Sequence, residues 1–342
     1  MELTTSEVYK HEAVSRFSAS VSEGHGWCYT WLHKRGRLAS GDGATDLVVM
    51  KHGCFPQVMI SGAKSLSGQA WAPDGSGFVV QHENDLLCVS YAGNGEFNMT
   101  TWTQLLPGEV FAGSPMWSTS SHGHAPSGVL FAVAAGAAGR AQLFWLREKR
   151  DATEDSERIL VFETEKGGEL LSWDCSPAAS PSLVAVVHRR ANAMLAEVVL
   201  VEVTTGETST CTRAQRMPPS RVVAMDGRVE YCKPQVAFLG DGRLVARLNL
   251  VTDSAGAVDV SAATPPPVTH GLWLLDVPQL ETGGDHRSVD GTKWTPVNVC
   301  ANQAHGTYDV FSGSYGSGIP GEGFVLDSER RTLIVTVRRH SM

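Results

Sequence analysis

Few residues in this chain stand in a pattern that could do chemistry. Gly316-Ser317-Gly318-Ile319-Pro320-Gly321 matches Gly-x-Gly-x-x-Gly, a phosphate cradle that works only between a strand and a helix whose N-terminus faces the anion. Pro320, Gly321 and Gly323 disfavour that helix, so the run reads as a turn. His122-Gly123-His124 could present two imidazoles to a metal from one side of a strand. It sits among Ser, Gly and Pro with no nearby cysteine or carboxylate to complete a ligand set, and reads as a solvated loop. Asp174, behind Trp173, reads as a hydrogen-bond acceptor for a neighbouring turn rather than a catalytic carboxylate.

Acyl transfer through a serine needs a Gly-x-Ser-x-Gly elbow and donors for the oxyanion, for which a His-Gly-Gly run is one source. Neither occurs in the sequence. The expectation is therefore no catalytic, cofactor-binding or metal-binding residue and no cofactor in these 342 residues, with substrate contacts unassigned. Arg189-Arg190 and Arg330-Arg331 are too short for a nucleic-acid patch, and a formal charge of −8 argues in the same direction. No nucleic-acid partner is expected.

The first ten residues hold two glutamates and no apolar run, unlike a secretory signal. The stretch from Gly128 to Ala138 is too short and too glycine-broken to cross a bilayer, so no membrane partner is expected. Seven cysteines, at 28, 54, 88, 175, 211, 232 and 300, form no metal-like pair. An odd, scattered set reads as reduced thiols in a cytoplasmic setting.

The elements that must carry these residues are strands. Gln69 to Ala72 runs into Pro73-Asp74-Gly75, where proline fixes φ and Asp-Gly supports a tight reversal. Phe78 to Val80, a turn at Glu83-Asn84-Asp85, Leu86 to Val89, and Phe97 to Thr103 complete four short antiparallel strands. That is the make-up of one β-propeller blade.

The same grammar recurs along the chain. Residues 14–62 hold Trp27 to Leu32, Asp46 to Met50 and Gln57 to Ile60. Residues 112–164 hold Met116-Trp117, Val129 to Val133, Gln142 to Leu146 and Ile159 to Glu163, with the charged run Arg147 to Arg158 read as a solvated loop. Residues 168–212 hold Leu170 to Asp174, Leu183 to Val187 and Ala196 to Val203, the last apolar enough to be covered on both faces. Residues 230–298 hold Lys233 to Phe238, Leu244 to Leu248 and Leu272 to Asp276, with an insertion from Thr252 to Thr269 stiffened by Pro265 to Pro267. Residues 308–342 hold the beginning of a sixth unit, and residues 1–13 are an N-terminal extension.

The fold class that follows is all-β: a β-propeller of four-stranded antiparallel blades, six to seven in number and incomplete at the C-terminus. The anchors Trp71, Trp117, Trp173, Phe238 and Phe324 mark the blades. Only the first interval falls near the 40–50-residue propeller period, so the later units carry loop insertions. The recurrent Gly-His and Trp-Asp pairs of a regular WD repeat are missing, apart from a Trp-Asp at Trp173-Asp174. The tryptophans at strand starts read as core between blades.

Phe311-Ser312-Gly313-Ser314-Tyr315, Ile319-Pro320, the run Gly323 to Arg331 and Arg338-Arg339-His340-Ser341 resemble the late propeller segment of acylaminoacyl-peptidases, of the prolyl oligopeptidase class. Phe324 stands where that family has tryptophan. The resemblance implies a propeller that covers an α/β-hydrolase domain of the same parent protein and admits only short peptides. In that family the serine, aspartate and histidine of the triad follow the propeller, so none falls on a residue of this chain. The expected function is a non-catalytic substrate gate for release of N-acylated amino acids. The alternative is a stand-alone propeller scaffold that binds a protein partner.

Overall fold

The computed structural model describes residues 14–22, 26–34, 45–51, 55–72, 76–93, 96–118, 128–135, 139–147, 158–176, 182–191, 195–205, 210–216, 220–221, 235–251, 268–275, 277, 295–297, 308–310, 324–326, 333–335 and 337–339. Among them there is no helix, and every strand pairing is antiparallel.

The first sheet is a meander of β1 (Val14–Ser22), β2 (Gly26–Lys34), β3 (Thr45–Lys51) and β4 (Gln57–Ala63). The second repeats it with β5 (Leu66–Trp71), β6 (Gly77–His82), β7 (Asp85–Gly93) and β8 (Glu96–Gln104). The third begins with an interrupted strand. β9 (Glu109–Phe111) and β10 (Met116–Ser118) both pair with β11 (Gly128–Ala135), and β12 (Arg140–Arg147) and β13 (Arg158–Glu163) follow. The break between β9 and β10 contains Gly113 at φ +109, which an L side chain rarely adopts.

The fourth unit is β14 (Glu169–Cys175), β15 (Ser182–Arg189), β16 (Leu195–Thr205) and β17 (Thr210–Arg216). A two-residue strand, β18 (Ser220–Arg221), also pairs with β16. The fifth unit is β19 (Gln235–Phe238), β20 (Leu244–Val251), β21 (Val268–Leu275) and β22 (Thr295–Val297). Ser220 of β18 pairs with Leu250 of β20, so the fourth and fifth units share one hydrogen-bonded sheet. Near the C-terminus β23 (Tyr308–Val310) pairs with β26 (Val337–Arg339), and β24 (Phe324–Leu326) with β25 (Leu333–Val335).

Alternation explains why the inner strands read as unbroken apolar runs. A strand sends successive side chains to opposite faces, and here each face meets a different neighbouring sheet. In Phe78-Val79-Val80, Phe78 and Val80 pack with Leu47, Val49 and Ile60 of the first sheet, while Val79 packs with Trp117, Val129 and Phe131 of the third. Leu130 and Ala132, the intervening positions of the third sheet, pack with Trp173, Val184 and Val186 of the fourth. Ala185 and Val187 face the fifth, against Phe238 and Leu244. Residues 198–201 of β16 are all buried, as their apolar run foretold.

The first strands of successive sheets lie side by side: β5 against β1, β10 against β5, β14 against β10 and β19 against β14. Sequential four-stranded meanders, stacked face to face with first strands adjacent, are the arrangement of β-propeller blades. No helix of the described residues is long and apolar enough to cross a membrane.

Two expectations change. Of the charged run expected as a loop, Arg147 closes β12 and Arg158 opens β13 with its side chain only 17% exposed, while residues 148–157 lie outside the described residues. The strand expected from Leu272 begins at Val268, so the last residues of the expected insertion are strand. The anchors Trp117 and Trp173 are buried and Trp71 is half-buried against Phe78, which fits their reading as inter-sheet core.

Candidate functional site

The polar groups set inside this apolar stack are the ones that could do chemistry, and several of them join one sheet to the next. Ser172 and Asp174 stand two apart on β14 and so share a face. Asp174, 1% exposed, accepts the Phe238 backbone N–H on Oδ2 at 2.6 Å, and Ser172 Oγ accepts the Val236 N–H at 3.2 Å. Two side chains of the fourth sheet thereby bind the inner strand of the fifth. One partner of Asp174 is thus a strand 64 residues further on; the neighbouring turn that the sequence suggested, at 177–181, lies outside the described residues.

The second and third sheets are joined by donors instead. Trp117 Nε1–H donates to the Ala70 carbonyl at 2.8 Å, and Gln81 Nε2–H to the Gly113 carbonyl at 2.8 Å. Gly113 also receives the ring of Trp173, whose Cη2 would lie 2.7 Å from a Cβ placed there. The indole N–H groups of Trp71 and Trp173 are buried without a hydrogen-bond partner.

Arg158 is the fullest of these junctions. Its guanidinium meets Glu109 Oε2 at 2.9 Å and Thr103 Oγ1 at 2.9 Å, and it lies 5.7 Å and 5.9 Å from the ring centroids of Phe131 and Phe144. Glu109 Oε2 also accepts the Leu106 N–H at 2.7 Å. A planar cation beside a stacked pair of rings, bonded to a carboxylate, ties the outer strand of the second sheet to the third. No local sequence signal marks this group, because Arg158 lies 55 residues beyond Thr103 and 49 beyond Glu109.

His188 is the one described imidazole beside a carboxylate. Its Nε2 lies 3.5 Å from Glu197 Oε2, directly across the β15–β16 ladder, and its ring lies 4.9 Å from that of Phe162. Arg190 takes the same carboxylate at 3.2 Å, and Arg189 pairs with Glu169 at 2.6 Å. The Arg189-Arg190 pair is thus engaged in separate ion pairs, not set out as one cationic patch. Among the described residues no group of three His, Cys, Asp or Glu side chains could hold a metal ion. The side chains of Cys88 and Cys175 are buried, and Cys175 Sγ–H donates to the Ser176 carbonyl at 3.9 Å. Among the described residues, a side-chain hydrogen bond from Arg243 holds the Asp241 carboxyl below the ordinary carboxylate range.

Several sequence candidates lie outside the described residues: His122 and His124, Gly316 to Gly321, Pro265 to Pro267, Arg330-Arg331 and Phe311 to Tyr315.

No family model and no curated protein matches the chain. Among solved structures it is similar to a carbohydrate-active enzyme of family AA12 from Trichoderma reesei, at 8% identity and TM-score 0.43, covering 95% of this chain and 90% of that one. It is also similar to the WD40 domain of SCAP from fission yeast, at 10% identity and TM-score 0.40, covering 84% and 75%. A structure of the fission yeast SREBP–SCAP binding domains matches at 12% identity and TM-score 0.40, covering 100% and 97%. The fold assignment is carried by the chain's own ladders and the packing between its sheets.

Proposed function

We propose that this chain is a non-catalytic β-propeller of six to seven blades that works by recognition and steric selection, in a cytoplasmic setting. One observation carries the reading. Four polar side chains set between the sheets hold them together: Ser172 and Asp174 on β19, Trp117 on Ala70, Gln81 on Gly113. Groups fixed in that way build a rigid frame for binding surfaces, and propellers commonly serve as such frames.

The specific form we favour is the substrate gate of an acylaminoacyl-peptidase-like serine peptidase. It would cover an α/β-hydrolase domain and exclude all but short N-acylated peptides. The resemblance of residues 311–341 supports it. A stand-alone scaffold for a protein partner is the second reading, favoured by the exposed apolar side chains Phe55, Val58, Leu106 and Val110.

Two measurements test this. The purified chain should not hydrolyse N-acetyl-alanyl p-nitroanilide above a buffer blank, and reproducible turnover would overturn the non-catalytic reading. Coding sequence downstream of Met342 should contain a Gly-x-Ser-x-Gly region. A stop codon there would remove the gate and leave the scaffold.

A further inference from the structure

We propose that the outer edge of β8 docks an extended peptide with basic residues at both ends, which joins the second sheet as a fifth strand. This goes beyond the function proposed above and holds under either form of it, because it concerns the rim of one sheet.

β8 spans nine residues and pairs along its length with β7. Among the described residues no strand pairs with its other edge. In an antiparallel ladder alternate residues direct their N–H and C=O groups away from the partner, so that edge offers a row of backbone donors and acceptors. Folded sheets ordinarily blunt such edges with lysine, proline, inward charges or shortness. β8 has none of these: between Glu96 and Gln104 it reads Phe-Asn-Met-Thr-Thr-Trp-Thr, uncharged and rich in strand-favouring residues. Its register shifts fall toward the two ends and leave Phe97 to Thr101 in unbroken pairing. Asn98, Met99, Thr100 and Thr101 are all exposed. β13 and β17 differ, since β13 carries Arg158 and Glu163, and β17 carries Arg213 and Arg216, while the uncharged outer strand β4 is shorter at seven residues and has Gly62 at φ +71.

Charge at the two ends selects the occupant. Glu96 is exposed at one end. At the other, Gln104 lies opposite Asp85, preceded by the exposed Glu83. The nearby cation, Arg158, is already bonded to Glu109. The uncharged edge thus carries Glu96 at one end, and at the other, about 26 Å along at roughly 3.3 Å per residue, Asp85 and Glu83 stand one strand inward. A strand with lysine or arginine at both ends complements it. A second copy of this chain, with formal charge −8 and the same acids, does not. Main-chain bonds would supply the attachment and the terminal charges the selectivity.

The probe is a fluorescent peptide, Lys-Lys-Thr-Val-Thr-Val-Thr-Lys-Lys, titrated with the full chain by anisotropy. Its controls are an analogue with glutamate ends and one with proline at the centre. The expected result is saturable binding of the basic peptide alone, with slowed hydrogen exchange at amides of residues 96–104. Thr100→Lys places an exposed charge on the edge and should weaken binding about tenfold, the factor that one lost bond or one like-charge contact supplies. Glu96→Lys with Glu83→Lys should weaken it similarly while leaving the thermal midpoint unchanged, which separates lost docking from lost folding. Equal binding of the proline analogue, insensitivity to Thr100→Lys, or no exchange protection in β8 would overturn the proposal. Concentration-dependent self-association abolished by Thr100→Lys would also overturn it, by naming a second copy as the occupant.

Discussion

Replacing Asp174 with alanine removes the acceptor of the Phe238 N–H at a position 1% exposed, between two sheets where water cannot readily substitute. A hydrogen bond to an ionised acceptor is worth about 1.5–3 kcal/mol net, and the stranded N–H keeps its desolvation cost. Removing the carboxylate also removes the cost of burying an ion, so the loss should fall near ~2 kcal/mol rather than above ~3 kcal/mol. Asp174→Asn keeps an oxygen in place and should lose about 1 kcal/mol, the worth of a neutral bond. Ser172→Ala, whose bond to Val236 is longer at 3.2 Å, should lose about 0.5–1 kcal/mol. Urea unfolding followed by tryptophan emission measures all three, and Trp173 lies beside the altered seam. If alanine matched wild type, or if asparagine cost as much as alanine, the account of Asp174 as a clasp on β19 would be refuted.

Further predictions concern other junctions. Gly113→Ala combines a φ of +109 with a Cβ 2.7 Å from Trp173, and should destabilise by about 1–3 kcal/mol with a shift in tryptophan emission, read by urea unfolding. Arg158→Lys keeps the charge but loses the fork and the ring contacts. It should cost less than Arg158→Ala, which should lose about 1–3 kcal/mol in thermal unfolding because Glu109 is left half-desolvated. Asp241 titrates below its ordinary value when folded, so its small contribution is present above about pH 4 and lost as pH falls through the depressed value. Arg243→Gln should return that titration toward the ordinary range, as followed by carboxyl NMR.

The strands were legible in the sequence wherever turn chemistry and apolar alternation agreed. All four strands of the second sheet fall where its turns at Asp74-Gly75 and Glu83-Asn84 placed them, although the first turn lies outside the described residues. The short strands escaped notice. β9 is three residues just after Pro107-Gly108, and β18 is two residues whose pairing depends on a strand 30 positions away. The junctions were harder still. The bond from Phe238 to Asp174 could not be read, because sequence displays only neighbours along the chain and this donor arrives from the next sheet. Arg158 sat at the end of a charged run and read as solvated. Only folding brings Phe131, Phe144 and Glu109 around it.

The pairing of Ser220 with Leu250 gives two of the sheets a common backbone ladder, whereas their neighbours touch through side chains. Side-chain contacts can slide or let go singly, but a ladder must be unzipped. Under a pulling force, the described strands β14–β16, β18, β20 and β21 should therefore part from one another after the seams on the amino-terminal side have given way.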